Sequence, residues 1–207
     1  MQNDVWAMVH AERHALIADL EALDDAQWEQ PSLCDGWTVH DVVAHVIDSA
    51  KATRLNFLVA MARARFDFDL QNAHGVRRER GATPQHTLQR LRQAATLTST
   101  PPAPIDTRLV EAVVHGEDIR RPLGLVRAYP QEAVVRSLKQ QARTSASFGG
   151  AKELLGHVRL SATDTDLSIG DGPEVRGTAL ALLLTLSGRL VALDELDGPG
   201  VGALAAR

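Results

Sequence analysis

Apolar positions recur at helical spacing through roughly the first two-thirds of the chain, and then the rhythm changes. After Asp4, a candidate N-cap, the residues Val5, Val9, Leu16, Leu20 and Leu23 fall on one face, which predicts an amphipathic helix over 4–24. Pro31 and Gly36 interrupt the pattern in DDAQWEQPSLCDGW. Thr38 then offers a capping hydroxyl with Asp41 three residues on, and Val42, Val43, Val46, Ala50 and Phe57 supply a second apolar face, expected to run to about Arg65. The polar stretch from Phe66 to Arg80 reads as a loop able to cover a cleft. Thr83 and Pro84 repeat a cap followed by a first-turn proline, opening a third helix with Leu88, Leu91, Ala95 and Leu97. A fourth helix begins near Asp106 and must end before Pro122, and Pro130 opens a fifth containing Val134, Val135 and Leu138.

Near Gly149 and Gly150 the pattern shifts. HVRLSATDTDLSIGDGPEVRG alternates apolar and polar residues around an Asp171-Gly172 turn signal, which predicts two or three short strands. TALALLLTLSGRLVAL follows as a short buried helix. The expected organisation is therefore a helical domain over 1–148 and a small α+β domain over 149–207.

Composition narrows the function classes. The chain has 207 residues, 44% hydrophobic and 23% charged, a globular balance rather than a disordered one. Lys and Arg total 22 against 26 acidic residues, a formal net charge of -4, so electrostatic capture of nucleic acid or an anionic membrane is disfavoured. The only cysteine is Cys34, which precludes an intramolecular disulfide. The amino-terminal stretch carries charges through its apolar positions, and the longest apolar run, Ala179 to Leu186, is too short to span a bilayer. A cytoplasmic protein is the expectation. Arginine supplies 19 of the 22 basic residues, a bias that suits a G+C-rich genome.

The candidate chemistry is concentrated on the helices. Glu111 and His115 stand four residues apart in LVEAVVHGED, so on a helix they share a face roughly 5–6 Å apart, close enough to ligate one divalent metal. A third ligand must come from a facing helix, and His45 in WTVHDVVAHV is the best candidate. Two other pairs have the same spacing, Asp41 with His45 and His10 with His14, and spacing alone leaves them open. His10 and His14 fall well away from their helix's apolar stripe and are expected to be solvated, as is His40 in the first turn of the second helix. Asp118 either orients His115 or bridges to Arg120 or Arg121. Cys34 has no recognisable partner and reads as a small half-buried side chain. Trp6, Trp28 and Trp37 read as packing anchors, and IGDGPE as a turn rather than a phosphate cradle.

Taken in order, PSLCDGWTVHDVVAHV, LVEAVVHGEDIRRPLG, VRLSATDTDLSIGDGPEVRG and LTLSGR resemble the mycothiol-dependent maleylpyruvate isomerase-like family, within the DinB-like metal-binding bundles. The resemblance covers nearly the whole chain, from about Trp6 onward. It implies a mainly α fold, a DinB-like up-down four-helix bundle followed by a small α+β C-terminal domain. It also implies that His45, Glu111 and His115 are the metal ligands, and that Arg189 in LSGRLVAL corresponds to an active-site arginine near the chain end.

Two imidazoles and one carboxylate suit a divalent ion, most plausibly zinc, with an open position. A thiol entering there would be deprotonated near neutral pH. The implied function is a metal-dependent thiol transferase or isomerase, with mycothiol or a similar low-molecular-weight thiol as cosubstrate and a small electrophile as substrate. Addition to a conjugated double bond followed by elimination gives an isomerase; stopping at the conjugate gives an S-transferase. The alternatives are a metal- or ligand-binding protein without catalysis and a non-haem iron oxygenase, since two histidines and a carboxylate also form that triad.

Overall fold

Side-chain caps mark where the helices start. The structure, a computed structural model, describes residues 2–205. Its first part contains α1 (Gln2–Glu21), α2 (Asp25–Trp28), α3 (Val39–Lys51), α4 (Arg54–Arg63), α5 (Phe68–Glu79), α6 (Pro84–Ala94) and α7 (Thr107–Arg120). Asp24, Thr38 and Thr53 each accept a hydrogen bond from the amide three residues on, and Gln27, Asn56 and Asp41 bond back, giving three capping boxes. Thr53 corrects one expectation. The predicted second helix does not run unbroken to Arg65; it stops at Lys51, and α4 begins anew behind its own cap.

A larger departure is α5, which occupies the stretch expected to be a loop. Asp67 accepts a bond from the Leu70 amide and starts it. Its buried positions are Gln71, Gly75, Val76 and Glu79, a helical stripe of mostly polar and small side chains with little hydrophobic periodicity. Gly75 is needed for the approach to α3, because a Cβ there would lie within 2.7 Å of the Asp48 carboxylate carbon.

Helices α1, α7, α3 and α6 close a ring of four, each packed on the next, and α5 lies against α3. The apolar core joins Leu16, Leu20, Trp28, Val42, Ile47, Leu91 and Ile119. Full burial of such side chains contributes roughly 1.5–3 kcal/mol each.

The chain divides into two compact units, Met1–Ala128 and Tyr129–Arg207. The change of pattern near residue 150 thus lies inside the second unit. Its first helix, α8 (Gln131–Arg143), packs on α9 (Ala179–Leu186). This unit also holds β1 (Arg159–Ala162), β2 (Ser168–Ile169), β3 (Glu174–Gly177) and a last short helix, α10 (Val201–Ala205). The sheet order is β2-β1-β3, with β1 antiparallel to β2 and parallel to β3. Asp171 and Gly172 therefore join two strands that do not pair, and the hairpin lies between β1 and β2. The mainly α fold with a small α+β part stands. Among the described residues, no helix is long and apolar enough to cross a membrane.

Candidate metal centre

The Thr38 capping box sets the first turn of α3, and two turns later His45 is buried on the side that packs against α7. On α7, Glu111, His115 and Asp118 follow one another at single-turn spacing. His45, Glu111 and His115 each offer one ligand atom, all within 4.8 Å of one another. Glu111 Oε2 stands 3.8 Å from His45 Nε2 and 3.9 Å from His115 Nε2, and the two imidazoles meet edge to face at 4.8 Å.

These separations are too long for hydrogen bonds. Glu111 Oε2 is buried without a hydrogen-bond partner, between two ring nitrogens that both point at it. Ligand atoms each ~2 Å from one ion lie no more than ~4 Å apart, so the set needs only a small contraction to share a cation. A carboxylate with two imidazoles is a donor set for zinc and its divalent neighbours, and the residues fit such an ion.

Electrostatics hold the cluster in a polarised state. Burial pushes His45 down to about 4, against the pull of Glu111. Burial would raise the Glu111 carboxyl, but His115, His45 and Arg108 hold it down at about 2. His115 is raised to about 10: burial opposes its charge, yet the hydrogen bond to Asp118, the nearby Cys34 sulfur and the field of Glu111 prevail.

The imidazoles are braced from outside. His115 Nδ1–H donates to Asp118 Oδ2 at 2.8 Å, and the Asp118 side chain is fully buried. That bond directs Nε2 toward Glu111, an arrangement typical of metal-bound histidine. Asp118 therefore orients His115, while Arg120 pairs with Asp19 and Arg121 with Glu117. The Trp37 ring packs on His45 at 5.2 Å.

A small cleft adjoins the cluster, lined by Arg13, Leu16, Val46, Ser49, Arg108 and Glu111 among others. Its cations also have structural contacts. Arg13 Nη1 donates to the carbonyls of Ala94, Ala95 and Leu97 at the end of α6, and Arg108 Nη1 donates to Ser49.

The competing pairs do not converge. Asp41 serves the α3 cap and pairs with Arg80; His14 is exposed, and His10 stacks on Trp6. His40, expected at the surface, is 2% exposed, with Nε2 2.6 Å from Thr87 Oγ1 and Nδ1 3.1 Å from Glu29 Oε1. Arg189 lies in the second unit, just past α9. Gly188 and Arg189 return amide bonds to Thr185 and Leu184, and the guanidinium donates to the Ser187 carbonyl. The contact the sequence reading missed is Cys34, whose thiol donates to Asp118 Oδ2 at 3.1 Å.

Residues 9–104 match the family model described as mycothiol maleylpyruvate isomerase N-terminal domain. Over that stretch the chain is similar to the mycothiol maleylpyruvate isomerase N-terminal domain family. The stretch matched to that family includes His45 and ends before α7, so Glu111 and His115 lie beyond it. Two solved structures share the fold: a mycothiol-dependent maleylpyruvate isomerase, 17% identical, and its histidine-to-alanine variant, 16% identical. In each case the similarity covers 96% of this chain and 93% of the other, with a TM-score of 0.65. No curated protein matches.

Proposed function

We propose that this chain is an enzyme of the mycothiol maleylpyruvate isomerase-like family that uses a divalent metal, with zinc the favoured ion, to activate mycothiol or a similar low-molecular-weight thiol against a small electrophile. The observation that carries the reading is the orphaned Glu111 Oε2, buried between the Nε2 atoms of His45 and His115. The printed descriptions of the matching structures, mycothiol-dependent maleylpyruvate isomerases, support the choice of thiol. When bound, the cation would supply charge that favours thiolate over thiol at neutral pH.

The chain's own residues do the rest. Glu111 brings the negative charge, and Asp118 keeps the Nδ1 proton on His115 so that Nε2, whose own proton a bound cation would have to displace, faces Glu111. Packing of Trp37 on His45 holds that ring against rotation. Arg189 is proposed, from its place in LSGR, as the residue that meets the substrate's negative charge. Addition of the thiol to a conjugated double bond, rotation and elimination would return the thiol and an isomer; displacement or addition alone would give an S-conjugate.

Metal analysis of untagged protein tests the foundation, with one divalent ion per chain expected. Cobalt-substituted protein should then develop thiolate-to-metal absorption when mycothiol is added. A cobalt spectrum indifferent to mycothiol, in protein that turns over no electrophilic acid, would replace the enzyme with a metal-binding protein of the same fold. Arg189→Ala should reduce turnover and leave metal content intact.

A further inference from the structure

Among the described residues near the centre, Cys34 carries a thiol that the proposed chemistry leaves without a task. It sits in a turn whose geometry is fixed on both sides. Trp37 N–H donates to the Cys34 carbonyl at 3.0 Å, and Gly36 at the third position of this turn has φ +74, a left-handed value that glycine adopts without strain. Ser32 Oγ accepts the Cys34 amide at 3.1 Å and donates to the Trp37 carbonyl at 2.9 Å. The Leu33 amide donates to the backbone carbonyl of Asp118 at 3.1 Å, which pins the turn to α7 at the residue that braces His115.

The turn thereby reaches both histidines. Trp37 packs on His45, and the Cys34 thiol donates to the Asp118 oxygen that also accepts from His115 Nδ1. Sγ lies 3.1 Å from that oxygen but 3.9 Å from Nδ1, so the carboxylate is its hydrogen-bond acceptor. Nδ1 and Nε2 point away from each other across the imidazole ring, and Nε2 is the atom that faces Glu111. Cys34 is therefore on the far side of His115 from the metal centre, where it can neither ligate the same ion nor attack a substrate held there.

We infer that Cys34 is a positioning residue for the metal centre, whose thiol fixes the Asp118 carboxylate so that Asp118 fixes His115. A carboxylate oxygen that accepts both from His115 and from a thiol on a pinned turn is tied to a reference outside the imidazole. This inference rests on the metal reading of His45, Glu111 and His115 and extends it outward by two hydrogen bonds.

Cobalt titration of the metal-free protein tests it by affinity and by the ligand-field spectrum, which a merely structural change would leave alone. Partners of metal-bound histidine typically change metal affinity 10–100-fold, and Cys34→Ala should fall near the lower end, about 10-fold, with an altered ligand-field band. Cys34→Ser, whose hydroxyl reaches less far but donates more strongly, should recover affinity to within about 3-fold of the parent. In an Asp118→Asn background Cys34→Ala should add less than about 2-fold, because the route through Asp118 is already broken.

Parental affinity and spectrum in Cys34→Ala would overturn the inference, as would a Cys34→Ser variant no better than Cys34→Ala. So would an undiminished Cys34→Ala loss in the double variant. Sulfur-to-cobalt absorption in the parent without added thiol, absent from Cys34→Ser, would make Cys34 a ligand and overturn it as well. His115→Ala separates the two levels: if that variant binds cobalt like the parent, the metal reading itself has failed.

Discussion

Helix α3 buries two histidines five residues apart, and their surroundings differ in one respect. Each nitrogen of His40 has a partner: Glu29 on one side, and on the other a Thr87 hydroxyl that also accepts the Gly81 amide. Arg80 completes this cluster by bonding Glu29, Asp41 and Thr38. At His45, Nδ1 is buried without a partner and Nε2 faces a carboxylate oxygen too far away to accept from it. A buried polar atom without a hydrogen bond costs roughly 1–3 kcal/mol, and Glu111 Oε2, facing His45 Nε2, is the one that an ion held there would satisfy. The satisfied histidine ties elements together; the unsatisfied one belongs to a site that a ligand completes.

Exchanging the two roles by mutation should produce opposite phenotypes. The largest effect is expected at the metal centre: Glu111→Gln or His45→Gln should lower metal affinity at least about 100-fold in equilibrium dialysis, while the metal-free protein unfolds near the parental urea midpoint. Metal retention in either variant would place the site elsewhere. At the other histidine, His40→Ala should cost about 2–4 kcal/mol in urea unfolding, through a buried cavity and stranded partners, and leave metal stoichiometry at one per chain. A stability loss confined to His45 variants would reverse the comparison.

Smaller changes sharpen it. Thr87→Val keeps the shape but strands His40 Nε2 and the Gly81 amide, for an expected loss of about 1–3 kcal/mol by chemical denaturation. Acidification should act gradually on the same cluster. Burial lowers His40 from its usual 6.5, so the unfolded chain takes up that proton first and stability begins to fall as the pH drops through about 6.5. Glu29 and Asp41 are held below their usual 4.5 and 3.8, although burial opposes this, by bonds from His40 and Arg80 to Glu29 and from Thr38 and Arg80 to Asp41. Their contribution is present above the unfolded values and is lost as the pH falls through the folded ones. Urea midpoints of metal-free protein between pH 8 and pH 3 should show both phases, and His40→Gln should shrink the upper one, leaving the part due to His45, which burial also lowers.

Much of the helical part was legible because its signals are local. Thr38, Thr83 and the apolar faces of α1, α3 and α6 mark elements found within a few residues of expectation. The pairing of Glu111 with His115 is also local, a consequence of 3.6 residues per turn. Helix α5 escaped detection because its buried stripe is Gln71, Gly75, Val76 and Glu79, whose burial is paid for by Lys51, Arg78 and the approach of α3 rather than by hydrophobicity. The parallel pairing of β1 with β3 was hidden for a related reason, since strand order is set by partners distant in sequence and not by the turn signal at Asp171 and Gly172.

For the site, the amino-acid sequence by itself determined that a carboxylate and an imidazole share one face of α7, because helical geometry acts between neighbours in the chain. Spacing alone could not exclude the His10 and His14 pair, although the apolar stripe favoured His45, and nothing in the sequence assigned Asp118 to His115 rather than to an arginine. Those choices depend on which helices touch, and packing of α3 on α7 is the sum of many weak contacts spread along the chain. Tertiary structure alone decided that His40 is buried and fully bonded, and that Cys34 bonds Asp118 across 84 residues of sequence. A hydrogen bond requires donor and acceptor within about 3 Å, a condition met only after the backbone has brought the two segments together.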